Sequence, residues 1–358
     1  MARRSARRKG RPRRLVAIDL FAGAGGLTLG LRHGGFSVVG AIESDPLAVE
    51  SYRRNHRKTH VWARPIEKVP AIHVLRHLGL ESGELDLLAG CPPCQGFSAI
   101  RTKNGKRRPR DAHKNLLFQF LKFARALKPK VIMMENVPRL SKDRRMRIFR
   151  RQLRALGYRC RTAILNAVDY GVPQRRRRMI FLAARFDGLP AAQKETRRRT
   201  VQDVIKGLPR PGQSGDYLHD VSEHRSKHVR KLISRIPKDG GSRNDLGKGS
   251  QLRCHHEFDG FNDVYGRLAW KKPAPTITCG FVNPSKGRFL HPTQNRTITL
   301  REAALLQSFP SKYYFSLRRG KYPAAALIGN ALPPALIKRI TSPIATRLRV
   351  LEAEAAAR

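Results

Sequence analysis

A rigid cysteine turn is the part of this sequence best suited to covalent chemistry. The segment GCPPCQGFS, residues 90–98, follows an apolar run, and two prolines stiffen the backbone before Cys94. A turn at the carboxyl end of a parallel strand is where α/β sheets place reactive groups, and a thiolate there is a strong nucleophile. Cys91 and Cys94 also form a C-x-x-C pair, so a zinc half-site or a redox pair is the alternative interpretation. No second C-x-x-C stands at zinc-finger spacing, which disfavours the metal site.

A glycine-rich loop and two carboxylates lie at the ends of other predicted strands. FAGAGG, residues 21–26, follows a strand and opens a helix, so its glycines let a ligand approach free N–H groups. Glu43 ends the next strand, where an acid accepts hydrogen bonds from ribose hydroxyls. The spacing differs from the G-x-G-x-x-G fingerprint, which disfavours NAD, and a tight turn without a ligand is the alternative. Glu135 closes the apolar run VIMMEN, where a buried carboxyl can stay protonated and donate a hydrogen bond.

A run of four arginines precedes another apolar run. QRRRR, residues 174–178, leads directly into the predicted strand MIFLAA, residues 179–184. Alternate residues of an extended segment share one face. The arginines therefore divide into two opposed pairs, Arg176 with Arg178 and Arg175 with Arg177. One pair can face a pocket while the other meets solvent or phosphate.

Short apolar runs alternate with helical stretches from residue 15 to about residue 185. Strands are predicted at 15–21, 36–42, 85–89, 131–136 and 179–184. Helices are predicted at 25–34, 115–128 and 146–156. This alternation predicts an α/β fold with a mostly parallel sheet and helices on both faces.

Composition divides the chain into three parts. Residues 1–14, MARRSARRKGRPRR, are predicted to be a disordered basic arm that either stays solvated or grips phosphate. Residues 15–188 together with 323–358 are the predicted catalytic and cofactor-binding domain. Residues 189–322 are rich in Gly, Pro, Asn, Ser and basic residues, which predicts a smaller, irregular domain and a hinge.

Charge and composition restrict the class of protein. The chain has 358 residues, with 73 Lys and Arg against 26 Asp and Glu, and a formal net charge of +47. Such an excess points to a polyanionic partner, above all nucleic acid. No apolar run reaches the roughly 18 residues that a membrane span needs. Five cysteines are few and odd in number, which disfavours a disulfide scaffold and favours a reducing cytoplasm.

Taken in order, these motifs resemble those of the prokaryotic type of DNA cytosine-5 methyltransferase. The resemblance covers about residues 15–340. The matching segments are DLFAGAGG (19–26), Glu43, GCPPCQGFS (90–98), ENV (135–137), YGVPQRRRR (170–178), REAALLQSFP (301–310) and GNALPP (329–334). The resemblance implies the Rossmann-like sheet of S-adenosylmethionine-dependent methyltransferases with a smaller target-recognition domain. It also implies methylation of cytosine carbon-5 in a specific double-stranded DNA sequence, by base flipping and covalent addition of Cys94.

The resemblance assigns roles to individual residues. Cys94 matches the nucleophile that adds to cytosine carbon-6, and Glu135 matches the acid on ring nitrogen 3 and the exocyclic amine. Arg178 matches the arginine on the cytosine carbonyl, with Arg176 beside it. The S-adenosylmethionine contacts that it implies are Phe21, Gly23, Gly25, Gly26, Glu43, Ile66, Pro92, Leu117, Asn330 and Ala331. It implies no metal.

Some positions depart from the family pattern. Pro65 precedes Ile66 where relatives often carry an aspartate on the adenine amine, and Ser44 stands where many carry an aromatic residue. We therefore expect Phe21 and Ile66 to pack against the adenine. Ala331 replaces a serine of some relatives.

Two other functions stay open from the sequence: an RNA cytosine-5 methyltransferase of the same fold, and a catalytically inactive DNA-binding regulator. The large variable region disfavours the first, and the intact cysteine turn and ENV segment disfavour the second. We expect a monomeric, cytoplasmic, nucleoid-associated prokaryotic enzyme without a membrane partner. Double-stranded DNA is the expected substrate, and a cognate restriction endonuclease is a candidate partner. Residues 99–114 are expected to form a loop that closes over DNA.

Overall fold

One mixed sheet organises the protein. The computed structural model describes residues 13–93, 116–247 and 263–358. In these residues seven strands pair in the order β3-β2-β1-β4-β5-β7-β6. The strands are β1 (Leu15–Leu20), β2 (Phe36–Glu43), β3 (His60–Ala63), β4 (Leu87–Gly90), β5 (Val131–Asn136), β6 (Arg159–Asn166) and β7 (Arg177–Ala184).

Helices connect and cover the strands. The described α-helices are α1 (Gly26–His33), α2 (Pro46–Asn55), α3 (Ala71–Leu78), α4 (Leu116–Leu127), α5 (Arg144–Ala155), α6 (Gln202–Ile205), α7 (Lys227–Arg235), α8 (Leu300–Leu306), α9 (Lys321–Asn330) and α10 (Pro334–Ala357). Short 3-10 turns lie at Ile66–Lys68, Pro138–Lys142, Ala167–Tyr170, Arg243–Asp245 and Pro284–Lys286. No described helix combines the length and the apolar character needed to span a bilayer.

The predicted fold class is confirmed, with two strands that the sequence pattern missed. Strands β1 to β5 pair in parallel, whereas β7 runs antiparallel to both β5 and β6. β3 has only four residues, and its first and last are exposed. β6 lies at the other edge, has no fully buried residue and carries two arginines. Neither strand has the continuous apolar run that marks a buried parallel strand.

Helices cover both faces of the sheet, as predicted. On one face, Phe149 of α5 packs edge-on against Phe120 of α4 and Phe181 of β7, with ring centroids 6.0 and 5.4 Å away. On the other face, Leu31 of α1 and Ile337 of α10 are fully buried in one cluster with strand residues. The sheet is therefore the middle of three layers, which is the arrangement that parallel strands require.

A third apolar cluster lies in the later part of the chain. It is built by α6, α8, α9 and the segments between them, with Phe281 and Ile328 completely buried. Ala24, from the glycine-rich loop, belongs to the same cluster. The later part of the chain is therefore packed directly against this loop. The boundaries proposed for the two domains, 15–188 with 323–358 and 189–322, stay a prediction.

Close contact between α1 and α10 depends on a glycine. A Cβ atom at Gly30 would lie 2.4 Å from Cβ of Ile337. We predict that Gly30→Ala destabilises the fold by about 1–3 kcal/mol, because overpacking outweighs the better helix propensity of alanine. Thermal and urea unfolding would measure the change. Gly207→Ala is the control, since a Cβ there meets no atom within 4 Å; equal stability of the two variants would contradict the prediction.

Candidate active site and cofactor loop

Strand register gathers the predicted site residues at one edge of the sheet. Leu20 of β1 pairs with Ile42 of β2 and with Gly90 of β4, and Gly90 pairs with Met134 of β5. The residues that follow these four strand positions are therefore neighbours. They are Phe21, Glu43, Cys91 and Glu135. The carboxyl edge of a parallel sheet is where ligands bind in such folds.

The glycine-rich loop has two tight positions and one open position. A Cβ at Gly25 would lie 2.4 Å from Nε2 of His56, and one at Gly26 would lie 2.5 Å from the Leu332 carbonyl oxygen. Gly23 has a left-handed φ of +56°, and a Cβ there would meet no atom within 4 Å. The loop is therefore packed from below at Gly25 and Gly26 and leaves room for a ligand over Gly23.

Glu43 ties this loop to the end of β2. Its Oε2 accepts a hydrogen bond from the Gly23 N–H at 2.8 Å. Its Oε1 accepts hydrogen bonds from the N–H groups of Ser44 and Asp45 at 2.7 and 2.8 Å. Three backbone donors therefore orient one half-exposed carboxylate beside the open position of the loop. A carboxylate held in this way can accept hydrogen bonds from the hydroxyls of a ribose.

The expected cofactor residues fall into two groups. Ile66 and Leu117 are buried in one apolar cluster, and the half-buried Phe21 packs against it. Pro92 is fixed through its carbonyl, which accepts a hydrogen bond from Nδ2 of Asn136 at 2.9 Å. The apolar surface, the open space at Gly23 and the Glu43 carboxylate together fit a nucleoside with a ribose.

Asn330 and Ala331 form the second group, at the end of α9. The Asn330 side-chain oxygen accepts a hydrogen bond from the Cys279 thiol at 2.9 Å. The Ala331 carbonyl accepts one from Arg176 at 3.2 Å. The next residue, Leu332, lies against Gly26, so this segment closes the far side of the loop.

A histidine and a tyrosine that the sequence analysis did not identify support the loop from below. The Tyr313 hydroxyl donates to the Ala24 carbonyl at 2.7 Å. Nε2 of His56 lies 2.9 Å from that hydroxyl and 3.2 Å from the Gly25 carbonyl. Burial lowers the pKa of His56 to about 4, so the ring is neutral near pH 7. No sequence motif links Tyr313 to a loop 289 positions earlier.

A buried acid stands under the same loop. Asp19 of β1 is inaccessible to solvent, and its Oδ2 accepts a hydrogen bond from the Thr28 hydroxyl at 2.7 Å. That hydroxyl also lies 2.7 Å from the hydroxyl of Tyr52. Burial, with a smaller contribution from Glu43, raises the pKa of Asp19 to about 7. The chain therefore carries a polar network within its core, directly below the loop.

Glu135 and Arg178 form a nearly buried ion pair. The Arg178 Nε atom lies 2.8 Å from Glu135 Oε1, and the two side chains are 15% and 9% exposed. Burial raises the pKa of Glu135, and the charges of Arg178 and Arg176 oppose that shift. Burial and the nearby Glu135 charge also raise the pKa of the Cys91 thiol. Glu135 can therefore hold a proton more readily than an exposed glutamate.

The guanidinium of Arg176 donates hydrogen bonds to backbone carbonyl groups of distant residues. It donates to the Ile277 carbonyl at 2.9 Å and to the Gly329 carbonyl at 3.0 Å. Burial, with the charge of Arg178, lowers the pKa of Arg176 to about 9, so it stays charged near pH 7. Arg175 and Arg177 are exposed, so the alternation inferred from the sequence is present. Arg178 reaches the acid, and Arg176 joins its own segment to two distant ones, at Ile277 and at Gly329.

Other buried polar residues escaped the sequence analysis. Gln174 accepts a hydrogen bond from the Ile277 N–H at 2.9 Å, beside the Arg176 contact. Arg267 is inaccessible to solvent and donates to the carbonyls of Ile233 and His291 at 2.8 and 3.0 Å, among other acceptors. Arginines are too numerous in this sequence to single out such residues by type alone.

Several predicted features fall outside the described residues. They are Cys94, the loop at 99–114 and the basic arm up to residue 12. Arg13, with which the described residues begin, pairs with Asp86 and Glu352. Among the described residues no group of three His, Cys, Asp or Glu side chains is arranged to hold a metal.

Comparison with known proteins matches this chain to the family of C-5 cytosine-specific DNA methylases over residues 15–346. The type II methylase M.HgiDII of Herpetosiphon aurantiacus is 36% identical over 359 residues, which cover 94% of this chain and 98% of the relative. The type II methyltransferase M.XorII of Xanthomonas oryzae pv. oryzae is 32% identical, with 94% of this chain and 86% of the relative covered.

Solved structures share the fold. The Dnmt2 methyltransferase of S. pombe superimposes with a TM-score of 0.61 at 20% identity, covering 94% of this chain and 99% of that one. A DNA modification methyltransferase described from an E. coli prophage gives a TM-score of 0.68 at 23% identity, covering 94% and 99%. At these identities the likeness concerns the fold alone.

The support under the glycine-rich loop generates a testable prediction. Tyr313→Phe removes the hydroxyl that binds Ala24 and His56, and we predict about 5- to 10-fold weaker S-adenosylmethionine binding, the equivalent of about one hydrogen bond. Calorimetric titration would measure the affinity, and KM for the cofactor should rise while kcat at saturation changes little. Tyr322→Phe, at a side chain 63% exposed, is the control. Unchanged affinity in a folded Tyr313→Phe protein would show that the hydroxyl does not position the loop.

Proposed function

This chain belongs to the C-5 cytosine-specific DNA methylase family, and we propose that it methylates cytosine within one specific sequence of duplex DNA, with Cys94 as its nucleophile. It is a DNA cytosine methyltransferase, and its family and fold imply dependence on S-adenosylmethionine. The observation that carries the residue assignments is the nearly buried Glu135–Arg178 pair, which lies at the sheet edge that also holds the glycine-rich loop.

The proposed chemistry begins with the cysteine. Carbon-5 of cytosine is a poor nucleophile because the ring is aromatic. Addition of the Cys94 thiolate to carbon-6 breaks that aromaticity and makes carbon-5 enamine-like. The stacked duplex hides this face of the base, so the cytosine is flipped into the pocket first. Bound S-adenosylmethionine would supply an electrophilic methyl group, on a sulfonium, to carbon-5. A base then removes the carbon-5 proton, and the Cys94 thiolate leaves carbon-6, which restores the aromatic ring.

Glu135 and Arg178 act on the opposite edge of the ring. In this proposal Glu135 holds a proton, which its burial favours, and gives it to ring nitrogen 3 as the thiolate adds. Arg178 donates hydrogen bonds to the cytosine carbonyl oxygen and stabilises the charge that develops there. The 2.8 Å contact between them places an acid and a guanidinium side by side, as adjacent polar atoms of one pyrimidine edge require. Arg176 positions the segment that carries Arg178.

We assign cofactor binding to the glycine-rich loop and to the residues around it. Gly23, with Gly25 and Gly26 packed beneath it, lets the ligand approach the backbone, and Glu43 accepts hydrogen bonds from its ribose. Phe21 and Ile66 supply apolar surface for the adenine, with Leu117, Pro92, Asn330 and Ala331 around the rest of the ligand.

The partners follow from the family and from the charge. Relatives named as type II methyltransferases support a role in restriction and modification, with a cognate endonuclease as the partner enzyme. The net charge of +47 suits a duplex DNA substrate. We assign target recognition to residues 189–322 and expect a monomer in the cytoplasm, associated with the nucleoid. The family match favours DNA over the RNA alternative.

The nucleophile assignment predicts the behaviour of two cysteine variants. Cys94→Ser should reduce methyl transfer by several orders of magnitude, because a hydroxyl is far less ionised than a thiol near neutral pH. Transfer of tritiated methyl groups to genomic DNA measures it, with cofactor affinity as the test of an intact site. Cys91→Ser is the matched control and should keep most of its activity. Near-normal turnover by Cys94→Ser would remove the assignment, and equal loss in both variants would favour a metal or redox pair.

The role of Glu135 predicts a separation of binding from turnover. Glu135→Gln should reduce turnover by about 100-fold or more, because an amide cannot supply the proton to ring nitrogen 3. Bisulfite sequencing of DNA from cells that express the enzyme first identifies the target sequence. A gel-shift assay on that duplex should then show retained binding by the variant. Turnover within a few fold of the unmodified enzyme would refute proton donation by this residue.

A further inference from the structure

Helix α5 has two chemically opposite faces. Its buried residues are Met146, Phe149 and Leu153, which pack toward the sheet. Its exposed face carries four arginines, Arg144, Arg147, Arg151 and Arg154. We refer to these four residues as the arginine stripe. Their spacing of three, four and three residues places them on one line along the helix, about 15 Å long at about 1.5 Å per residue.

The stripe carries more positive charge than the nearby described acids balance. Helix α5 contains no Asp or Glu. The acid that precedes it, Asp143, caps the helix through the N–H of Arg145 and pairs with that residue's side chain at 2.9 Å. Within the described parts of the chain, no carboxylate forms an ion pair with any arginine of the stripe. Like charges three and four residues apart destabilise a helix, so the stripe favours an anionic partner.

The stripe begins next to the catalytic edge. β5 ends at Glu135 and Asn136, and a 3-10 turn over Pro138–Lys142 leads straight into α5. Arg139 and Lys142 of that turn are exposed and extend the positive charge back toward the edge. A basic track therefore starts a few residues from Glu135 and continues along the exposed face of α5.

We propose that the arginine stripe binds the phosphates of the duplex DNA that flanks the methylated sequence. This inference rests on the proposed function, because flanking DNA is present only when the site holds a duplex target. Guanidinium groups bind phosphate oxygens through paired hydrogen bonds and stay charged at all physiological pH values. A track of about 15 Å matches about four base pairs at about 3.4 Å each. Phosphate contacts carry no sequence information, so the stripe adds affinity and leaves the target sequence unchanged.

The test compares duplex lengths. The variant replaces Arg147, Arg151 and Arg154 by glutamine, which keeps a good helix propensity. The probes are fluorescein-labelled duplexes of about 14 and about 40 base pairs centred on the sequence identified by bisulfite sequencing, a length difference of about two and a half helical turns. Fluorescence anisotropy at several salt concentrations measures affinity, and tritium transfer measures turnover on each duplex.

We expect an effect confined to the longer duplex. The slope of log affinity against log salt should become shallower by about 2–3, at about 0.9 for each phosphate that the variant no longer neutralises. Affinity for the short duplex and its turnover at saturation should stay within about twofold. A second variant with lysine at the same three positions should keep most of the slope, because it keeps the charge.

A matched control separates the stripe from the overall charge. Arg57, Lys58 and Arg76 are exposed cations that lie before β3 and on α3, away from the track. Their triple replacement by glutamine removes the same net charge and should leave the difference between long and short duplexes unchanged. Equal reductions in affinity in the two triple variants, or an unchanged slope in the stripe variant, would overturn the proposal.

The outcome also distinguishes this inference from the proposed function. If the unmodified enzyme methylates DNA but the stripe variant binds both duplexes normally, only the stripe proposal is wrong. If the unmodified enzyme transfers no methyl group to DNA, the proposed function itself is wrong. Circular dichroism of each variant verifies that the protein is folded. If the triple glutamine variant does not fold, single Arg→Gln variants at the same positions keep the proposal testable, since each should make the slope shallower by about 0.9.

Discussion

The buried guanidinium of Arg176 is the contact on which the arrangement of the site depends. It donates to carbonyls at Ile277, Gly329 and Ala331, and so holds the later part of the chain against the segment that enters β7. A charge removed from water is tolerated only where hydrogen bonds replace its hydration, and removal of such partners is strongly destabilising. Arg178 lies two residues further along, so the position of the Glu135 pair is set by the same contacts.

The Glu135–Arg178 ion pair illustrates how burial and charge have opposite effects on the pKa of one carboxyl group. Desolvation favours the neutral carboxyl of Glu135, while Arg178 and Arg176 favour its charged form. Because these effects oppose each other, Glu135 can be ionised and paired with Arg178 when water fills the pocket. It can hold a proton when an uncharged cytosine ring replaces that water. The Cys91 thiol beside it responds in the same direction, since burial and the carboxylate both disfavour its ionisation. We therefore propose that the carboxyl, and not this thiol, transfers the proton.

The glycine-rich loop shows a different case, in which hydrogen bonds to its backbone, and no buried cation, supply the rigidity. Glu43 fixes the top of the loop through the Gly23 N–H, and Tyr313 fixes the bottom through the Ala24 carbonyl. His56 stays neutral because it is buried, so it adds a hydrogen bond without adding a charge beneath the ligand. These contacts leave Gly23 as the open position. Preorganisation of this kind reduces the entropy that a ligand must lose on binding.

Local pattern alone determined the α/β class, the central strands, the glycine-rich loop, the acid at the end of β2 and the alternation of the arginines. Each of these follows from apolar periodicity or from the conformational range of a residue type. Only the tertiary structure decided that β3 and β6 complete the edges, that Arg176 binds three carbonyls and that Tyr313 supports Ala24. Edge strands lack a continuous apolar run, and hydrogen bonds between residues 101 to 289 positions apart depend on how the layers pack. The protonation preference of Glu135 belongs to the same group, because burial is a property of the packed fold and not of the residue.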